Sequence, residues 1–473
     1  MVFSSSFFLF YFLPIFLLVY HLVGPKLKNY VILAASIFFY SWGAPKFVSV
    51  ILISTIVDFY IVKQIHENQD NRRRRLLLGL SIFINLGLLV YFKYANFFIE
   101  NLNDTLNLFG ATEVSWTKVV LPIGISFYTF QTLTYSIDVY RRIHAPLKKV
   151  SDYLLYIMSF PQMIAGPIVR FNLIADQIIK RKETIDEKLL GFYRFSIGLA
   201  KKVLIANVMA EQADLIFNSN LSELSIGSAW LGILAYTFQI YFDFSGYSDM
   251  AIGLGRMIGF KFPENFNSPY ISRSISEFWR RWHMTLGNFM RDYLYIPLGG
   301  NRVKSKYRLF FNLWIVFLLS GLWHGASWSF VLWGAFHGFF LILDRLFFEK
   351  FLIRIGKFFS ILITFIIVMF GWVIFRLENI VDIKTYFEQM FNFNSSLSID
   401  AIPAFGLIGS LAILFSFIAA FKWGRKLQAF IYNTEVYAIK YHLLLTIISL
   451  VLLVLSVSAV NSSGFNPFIY FRF

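Results

Sequence analysis

An imidazole stands inside a stretch of sequence that is otherwise suited to lipid. His324 lies in "SGLWHGASW", residues 320–328, and the surrounding run from Leu309 to Leu343 contains no Asp, Glu, Lys or Arg. Polar groups inside a bilayer are costly and usually functional, and a neutral imidazole readily takes a proton from a hydroxyl group near neutral pH. We therefore predict that His324 is a general base. The alternative is a structural histidine that donates a hydrogen bond to a backbone carbonyl at a helix turn.

A second histidine, His283, follows two arginines in "FWRRWHMTLGNF". It belongs to a different segment from His324, so the two rings are candidates to face one pocket. The alternative is a histidine that is solvated at the membrane interface or binds a lipid headgroup. His337, in "WGAFHGFF", is expected to pack between helices, and the remaining histidines lie near the ends of apolar segments: His21, His66, His144 and His442.

The residue types present exclude several other chemistries. The chain has no cysteine, so it forms no disulfide, and any covalent acyl carrier must be an oxygen or nitrogen side chain. Metal binding is disfavoured, because there is no thiol, no His-x-x-x-His spacing and no cluster of histidine with carboxylates close in sequence. No Gly-x-Ser-x-Gly motif stands where a strand, turn and helix would form a nucleophilic elbow.

The composition is that of a polytopic membrane protein. Of the 473 residues, 57% are hydrophobic and 15% are charged, and the mean hydropathy is +0.62; these proportions exclude a soluble protein. A net charge of +16 is compatible with nucleic-acid binding, but the basic residues form short clusters between apolar segments. We interpret them as topology signals, with the "RRRR" run at 72–75 in the cytoplasm, and expect no nucleic-acid partner.

The fold expected from hydropathy is all-α, with about eleven or twelve transmembrane helices of roughly 20 residues each. Several segments are too short to span upright, so one or more is expected to be re-entrant or buried among other helices. The predicted segments are Phe7–Val23, Tyr30–Trp42, Phe47–Val62, Leu76–Ile99, Val119–Val139, Leu154–Val169, Phe192–Phe217, Ile226–Ile240, Leu309–Trp323, Trp328–Leu343, Phe358–Phe375, Phe405–Phe421 and His442–Val460.

Two regions depart from simple spans. The run around His324 is too long for one span, so a break is expected near its centre, where Gly321 and Gly325 relieve steric limits on the backbone. The stretch from Ile275 to Met290 has an amphipathic pattern, which indicates helices that lie in the interface or line a cavity.

Five long blocks of sequence, taken in order, resemble the membrane-bound O-acyltransferase family. They are "LPIGISFYTFQTLTYSIDVYRR" (121–142), "QMIAGPIVRF" (162–171), "YFDFSGYSDMAIGLGRMIGFKFPENFNSPY" (241–270), "FWRRWHMTLGNFMRDYLYIPLGG" (278–300) and "LWHGASWSFVLWG" (322–334). The branch that these blocks resemble contains the alginate O-acetyltransferase membrane subunit and the peptidoglycan O-acetyltransferases. The resemblance covers nearly the whole chain.

The resemblance implies a fold and a site. The fold is a single integral membrane domain over residues 1–473, a cone-like bundle around a central funnel that acetyl-CoA enters from the cytoplasm. His324 corresponds to the active-site histidine of the family, and His283 to the second histidine in its Arg-Arg-Trp-His block. No permanently bound cofactor is implied. Arg280, Arg281 and Arg291 are candidates to meet the phosphates of acetyl-CoA, without an assignment among them.

The C-terminal tail, residues 461–473, is expected to fold back into the protein or to face outside. Its last ten residues, "GFNPFIYFRF", are apolar and follow the final span too closely to form a domain. Tyr470 carries the only hydroxyl group after Ser463. The tail resembles an aromatic motif of the acetylating branch whose tyrosine accepts the acyl group, so Tyr470 is predicted to be catalytic; the alternative is an aromatic anchor at the membrane interface.

The expected function is transfer of acetyl from cytoplasmic acetyl-CoA across a bacterial inner membrane, for O-acetylation of an extracytoplasmic polysaccharide such as alginate, peptidoglycan or another exopolysaccharide. The expected partners are membrane lipids and a secreted or periplasmic SGNH-type acetyltransferase. Three alternatives stay open: D-alanyl transfer to teichoic acid, a lipid-linked glycan transporter or flippase, and a noncatalytic scaffold. A transporter would depend on Asp243 and Asp249 in "YFDFSGYSDM", for which local hydrogen bonds to Ser and Tyr are the alternative.

Overall fold

The computed structural model describes residues 1–469 of the chain, and within them it contains helices and no strand. The chain divides into two compact units, which are described separately below. The first comprises residues 1–183 with 258–262, and the second comprises residues 184–257 with the chain from 263 onward. The prediction of an all-α fold is confirmed; the prediction of a single domain stays a prediction.

The first unit is organised around a buried carboxylate. Asp58 accepts hydrogen bonds from Ser81, Asn85, Ser136 and Tyr153, so side chains from three other helices, α4, α5 and α6, solvate it. The helices of this unit are α1 (Leu13–Leu22), α2 (Lys28–Gly43), α3 (Val48–Glu67), α4 (Asn71–Leu108), α5 (Ile125–Tyr140), α6 (Val150–Met158), α7 (Phe160–Met163) and α8 (Phe171–Ile179), with a π-helical turn at Phe8–Phe12 and a 3₁₀ turn at Pro45–Phe47.

The second unit carries both candidate histidines. Its helices are α9 (Ile185–Ala200), α10 (Asn207–Phe217), α11 (Ile226–Met257), α12 (Ile275–Arg281), α13 (Met284–Phe289), α14 (Lys306–His324), α15 (Trp328–Leu343), α16 (Glu349–Arg354), α17 (Lys357–Arg376), α18 (Ile380–Met390), α19 (Phe405–Phe417), α20 (Lys422–Asn433) and α21 (Ile439–Ser463). Shorter turns connect them: π-helical at Lys201–Ala206, Met290–Tyr295 and Asp344–Phe348, and 3₁₀ at Leu221–Glu223, Pro269–Ile271 and Ile418–Ala420.

Five helical stretches among residues 1–469 are long and apolar enough to cross a membrane. They are Pro45–Glu67, Asn71–Leu108, Trp328–Arg354, Lys357–Arg376 and Ile439–Ser462. A sixth span results if Phe405–Ala420 and Lys422–Asn433, which meet at a bend of 97°, count as one. The protein is therefore a multi-pass membrane protein, and the larger count of eleven or twelve spans stays a prediction.

Two predicted spans have different boundaries in the structure. The segment predicted at 154–169 is broken, because α6 ends at Met158 and the one-turn α7 contains Pro161, which has no N–H for the helical ladder. The segment predicted at 226–240 instead continues to Met257. Hydropathy ended it early because Asp243 and Asp249 follow, yet both carboxylates are buried and paired with cations inside the unit.

Close packing of α9 against α11 sets the geometry of the second unit. A Cβ atom on Gly198 would lie 2.6 Å from the carbonyl oxygen of Gly246, and one on Gly246 would lie 2.7 Å from the carbonyl oxygen of Gly198. Gly191 of α9 and Gly253 of α11 are equally close: a Cβ atom on either would lie 2.6 Å from the carbonyl oxygen of the other. Small residues let helix backbones approach in membrane proteins, and here the approach brings the residues after α9 beside the polar face of α11.

Candidate active site

His324 is the last residue of α14. The helix ends there because Gly325 has an extended backbone, with φ −161° and ψ 157°, and α15 begins only at Trp328. The imidazole is 9% exposed, and its ring centroid lies 4.9 to 5.2 Å from three aromatic rings, those of Trp323, Trp333 and Phe375. The break that the sequence predicted is present, and it holds His324 in an aromatic cage.

The two glycines around this break have a different role from the one predicted. Gly321 lies within α14, and the φ of Gly325 is one that any residue adopts, so neither supplies an unusual backbone conformation. Instead, a Cβ on Gly321 would lie 2.1 Å from the carbonyl oxygen of Phe330, and one on Gly325 would lie 2.0 Å from the Phe330 ring. The glycines therefore allow α15 to pack directly against the end of α14.

His324 opens onto a small pocket in the second unit. The lining is aromatic and aliphatic, with His324 as its only titratable member among the described residues: Ile240, Phe244, Trp282, His324, Trp333, Trp372, Phe375 and Ile469. The indole N–H of Trp333 finds no hydrogen-bond acceptor among residues 1–469. The pocket therefore offers one proton acceptor, one buried donor and walls that exclude water.

His283 is 1% exposed and sits between α12 and α13 with φ 45° and ψ 51°. The stretch 275–290, for which the amphipathic pattern predicted helices, therefore divides near this residue into α12 and α13. A left-handed backbone at a residue other than glycine costs on the order of 1–3 kcal/mol, and such strain clusters at functional sites. The segment around Asn265 holds it, since the Met284 N–H donates to the Asn265 carbonyl at 2.9 Å.

The side chain of Asn265 fixes the tautomer of His283. Its Oδ1 accepts from the backbone N–H of Thr285 at 3.3 Å and lies 3.0 Å from Nδ1 of His283. An atom that accepts from a backbone N–H must be the oxygen, so Nδ1 of His283 carries the hydrogen. Nε2 then keeps its lone pair, and it has no hydrogen-bond partner among the described residues.

The structure brings the two histidines into one neighbourhood. The ring of Trp323 lies 4.9 Å from that of His324 and 6.0 Å from that of His283. Phe244, which lines the pocket, lies 4.7 Å from the ring of His283. His283 thus stands behind the pocket wall, whereas His324 lines the pocket itself.

The end of the described chain returns to the same pocket. Gly464, with φ 61°, ends α21 in the left-handed conformation that glycine adopts without strain. Phe468 is buried and stacks on Tyr247 with ring centroids 4.7 Å apart, and Ile469 is 3% exposed and lines the pocket. Tyr470, the third predicted site residue, lies outside the described residues.

A buried ion pair that sequence reasoning missed stands beside this tail. The Nζ of Lys202 lies 3.0 Å from Oδ1 of Asp243, and both side chains are 2% exposed. The alternative of local hydrogen bonds from Ser and Tyr to the α11 carboxylates is therefore wrong for Asp243, whose partners are Lys202 and the N–H of Ile469. A signal was available, because Lys201 and Lys202 interrupt the apolar segment predicted at 192–217.

The other residues named from sequence are accounted for as follows. His337 is buried on α15, where its ring lies 4.9 Å from that of Trp279 and packs against Gly371 of α17. Arg281 pairs with Glu277 at 2.9 Å and Arg291 pairs with Asp292 at 2.6 Å. Arg280 is exposed.

Comparison with protein families gives one match, over residues 141–381, to the model described as MBOAT, the membrane-bound O-acyltransferase family. This range includes α11, α14, α15 and α17, which line the pocket, and the turn Lys201–Ala206, which carries Lys202 of the ion pair. Both His283 and His324 fall within it.

Named relatives cover most of the chain. The probable alginate O-acetylase AlgI of Pseudomonas aeruginosa is 46% identical over 396 residues, which are 84% of this chain and 76% of that protein. The peptidoglycan O-acetyltransferase of Helicobacter pylori is 39% identical over 80% of this chain and 78% of that protein. The teichoic acid D-alanyltransferase of Bacillus subtilis is 30% identical over 54% of this chain and 68% of that protein.

Proposed function

Since the chain belongs to the membrane-bound O-acyltransferase family and is an acyltransferase, we propose that it moves acetyl from cytoplasmic acetyl-CoA across the bacterial inner membrane. The acceptor system is an extracytoplasmic polysaccharide that becomes O-acetylated, with a secreted SGNH-type transferase as the partner that completes the transfer. Support comes from the relatives that are named for O-acetyl transfer to alginate and to peptidoglycan.

His324 acts as the general base in this proposal. It is the only titratable side chain among the described residues that line the pocket, and the aromatic walls exclude water, which strengthens electrostatic interactions in the site. His283 acts as a positioning residue. Its Nδ1–H is held by Asn265, so the Nε2 lone pair is oriented by a fixed ring.

Tyr470 is the acyl carrier. His324 takes the phenol proton, the phenolate oxygen bonds to the acetyl carbonyl carbon, and the carbon–sulfur bond of the thioester breaks. The coenzyme A thiolate leaves and takes the proton back from the imidazolium, which yields a free thiol and an acetyl-tyrosine. A serine of the outer partner then attacks this aryl ester, and the departing phenolate regains the serine proton.

The observation that carries this proposal is the pocket that Ile469 shares with His324. In the sequence, Tyr470 directly follows Ile469. A tail that served only as a membrane anchor would have no reason to bury Ile469 in the pocket of the candidate base.

Acetyl transfer is favoured over D-alanyl transfer and over transport of a lipid-linked glycan. The D-alanyltransferase relative is 30% identical over about half of the chain, whereas the O-acetylating relatives are 39% to 46% identical over 80% or more of it. A transporter or flippase would need Asp243 and Asp249 to exchange an ion or substrate, and both carboxylates are held by buried cations.

The test uses purified full-length protein in lipid nanodiscs with acetyl-CoA, followed by mass spectrometry of the C-terminal peptide. Wild type is expected to carry acetyl on the tail, and Tyr470→Phe to carry none. Tyr441→Phe, which removes a phenol at the other end of α21, is the matched control and should be acetylated at Tyr470 as in wild type. Loss of the general base in His324→Ala should slow acetylation by about 10²- to 10⁴-fold.

Three results would count against parts of this proposal. Normal transfer to the partner by Tyr470→Phe would reduce the tail to an anchor. A wild-type rate in His324→Ala would remove the general base. Incorporation of D-alanine but not acetyl, when the activated forms of both are offered, would move the protein to the other branch of the family.

A further inference from the structure

A lysine and an aspartate are fully buried in the second unit, and neither takes part in the chemistry proposed above. Lys202 belongs to the π-helical turn Lys201–Ala206 that follows α9, and Asp243 lies in α11. Such π-helical turns are frequent at functional sites. Burying two charges costs several kcal/mol per ion unless further hydrogen bonds satisfy their remaining donors and acceptors. The groups that make these further hydrogen bonds therefore indicate what the pair does.

Most of those partners belong to the tail. Lys202 donates to the carbonyl oxygen of Pro467, and to Oδ1 of Asn207 at 2.6 Å. Oδ2 of Asp243 accepts the backbone N–H of Ile469 at 2.8 Å. Oδ1 of Asp243 lies 3.0 Å from the ammonium group as its ion-pair partner, so two hydrogen-bond acceptors and one carboxylate charge surround Lys202.

Asn207 extends this contact along the tail. Its Nδ2 donates to the carbonyl oxygen of Phe465 at 3.2 Å and to Oδ1 of Asn466 at 3.4 Å. The three side chains therefore hold Phe465, Asn466, Pro467 and Ile469, chiefly through the tail backbone. We call Lys202, Asn207 and Asp243 the tail socket.

We propose that the tail socket is a positioning device, which binds the backbone of residues 465–469 and thereby sets the place of Tyr470 relative to His324. The positioning half of this inference rests on the proposed function, whereas the binding half does not. Asp243 holds the N–H of the residue directly before Tyr470, so its loss frees the chain at the point nearest to the acyl carrier.

The recognition is by backbone atoms and charge, which fits a tail whose side chains are largely apolar. A lysine and a carboxylate placed side by side offer a donor to a carbonyl and an acceptor to an N–H two residues apart. Misplacement of a reacting group by about 1 Å costs about 10²-fold in rate. Release of the tail is therefore expected to lower the turnover number for acetyl transfer to the tail while leaving the binding of acetyl-CoA unchanged.

The chain has no cysteine, which permits a direct test. A nitroxide label on Phe465→Cys, a position that is 37% exposed, reports tail motion by electron paramagnetic resonance. Lys202→Met and Asp243→Ala should convert an immobilised spectrum into a mobile one. In the same chains without the label, kcat for tail acetylation should fall about 10²-fold, with the KM for acetyl-CoA changed less than about twofold.

The matched control is Lys201→Met, the same substitution one residue earlier. Lys201 pairs with Asp249, which keeps its second partner Arg194, so the label should stay immobilised. Asp243→Asn keeps an oxygen acceptor for the Ile469 N–H and is expected to release the tail only in part. If Asp243→Ala does not fold, Asp243→Asn and Lys202→Met together test whether the socket binds the tail.

The outcomes separate the inference from the proposed function. An immobilised label in folded Lys202→Met or Asp243→Asn chains would overturn the socket, whatever the activity. A mobile label with unchanged kcat would overturn the positioning role and leave only an attachment. If wild type transfers no acetyl from acetyl-CoA, the proposed function fails, and the label still decides whether the socket binds the tail.

Discussion

Lys201 and Lys202 are neighbours in one helical turn, and each holds a different carboxylate of α11. Lys201 lies 2.6 Å from Oδ2 of Asp249, and Lys202 lies 3.0 Å from Oδ1 of Asp243. Because consecutive residues project from different faces of a helix, the two pairs point to different surroundings. Both contacts are ion pairs between a lysine and an aspartate. They differ in the further groups that the two side chains contact.

The third partners of the Lys201 pair come from the body of the second unit. Arg194 of α9 lies 2.7 Å from Oδ1 of Asp249 and 2.5 Å from Oε2 of Glu264, and its guanidinium lies over the ring of Tyr432 at 4.1 Å. We call Arg194, Lys201, Asp249 and Glu264 the helix cluster. It joins α9, α11 and the segment after α11, whereas the tail socket joins helices to a chain end.

This difference separates stability from activity. Loss of Asp249 leaves the buried guanidinium of Arg194 between packed helices, and no chain end can move away from it. Loss of the tail socket releases a segment of a few residues, after which water can reach Lys202. Helix-cluster variants are therefore expected to unfold more easily, and tail-socket variants to remain folded and transfer acetyl poorly.

The largest effect on stability is expected from Asp249→Ala. Removing one partner of a buried ion pair destabilises a protein by about 3–5 kcal/mol, and here two cations, Arg194 and Lys201, lose their common partner. Thermal unfolding in detergent should show a strongly lowered midpoint. Asp243→Ala serves as the comparison, and an equal or larger loss of stability there would erase the distinction between the two sites.

A smaller effect is expected where the chain turns into the tail. Gly464 has φ 61°, and a Cβ there would meet nothing within 4 Å, so Gly464→Ala adds strain without a clash. The left-handed conformation costs an alanine about 1–2 kcal/mol, which lowers the ratio of placed to released tail by about 5- to 30-fold. Acetylation of the tail should slow, and a Phe465→Cys nitroxide should become partly mobile.

Gly464→Asn is the control for this prediction, because asparagine tolerates the left-handed conformation better than alanine. It is expected to acetylate faster than Gly464→Ala. Equal rates in the two variants, both close to wild type, would show that the conformation at residue 464 does not govern the approach of the tail to the socket.

The sequence predicted the elements around the site better than the contacts within it. The absence of charge from Leu309 to Leu343 located the break that holds His324, because solvation by lipid imposes a pattern on consecutive residues. The same pattern predicted the wrong role for Gly321. This glycine makes room for Phe330, and the contact between them exists only because α15 packs back against α14. Local patterns encode helices, while the distance between helices depends on which faces meet.

Long-range contacts explain the other differences. Amphipathicity predicted helices over 275–290 but not the place where they divide, which is His283, because Asn265, eighteen residues earlier, accepts its Nδ1–H and fixes the turn. Lys202 was included in an apolar span, although its charge is paired with Asp243 on another helix and its ammonium group also donates to the carbonyl oxygen of Pro467, 265 residues later. A hydropathy value averages neighbouring residues and does not record which side chains pair, so it counts each polar side chain without its partner.

A third lysine–carboxylate contact lies in the first unit. It tests whether the degree of burial determines how much such a pair contributes to stability. Lys28 and Glu183 form an ion pair at 2.5 Å with side chains that are 18% and 14% exposed. Burial alone would raise the pKa of Glu183, but hydrogen bonds from Lys28 and Tyr20 and the charges of Lys28 and Arg181 outweigh it, so the pKa lies below its ordinary value. Unlike the tail socket, this pair lies close enough to water for its protonation to be followed.

The smallest effect is expected from Glu183→Gln, and it should depend on pH. A carboxyl group whose folded pKa is lowered stabilises the protein above its unfolded pKa, about 4.3, and this contribution is lost as the pH falls through the folded pKa. The difference in unfolding midpoint between wild type and Glu183→Gln should therefore be largest near neutral pH and should narrow below about pH 4.3. Glu67→Gln, at an exposed pair with Lys63, is the control and should show little difference at any pH. A constant gap between wild type and Glu183→Gln down to about pH 3 would mean that Glu183 contributes by packing and hydrogen bonding rather than by charge, and burial would then not be what distinguishes this pair from the tail socket.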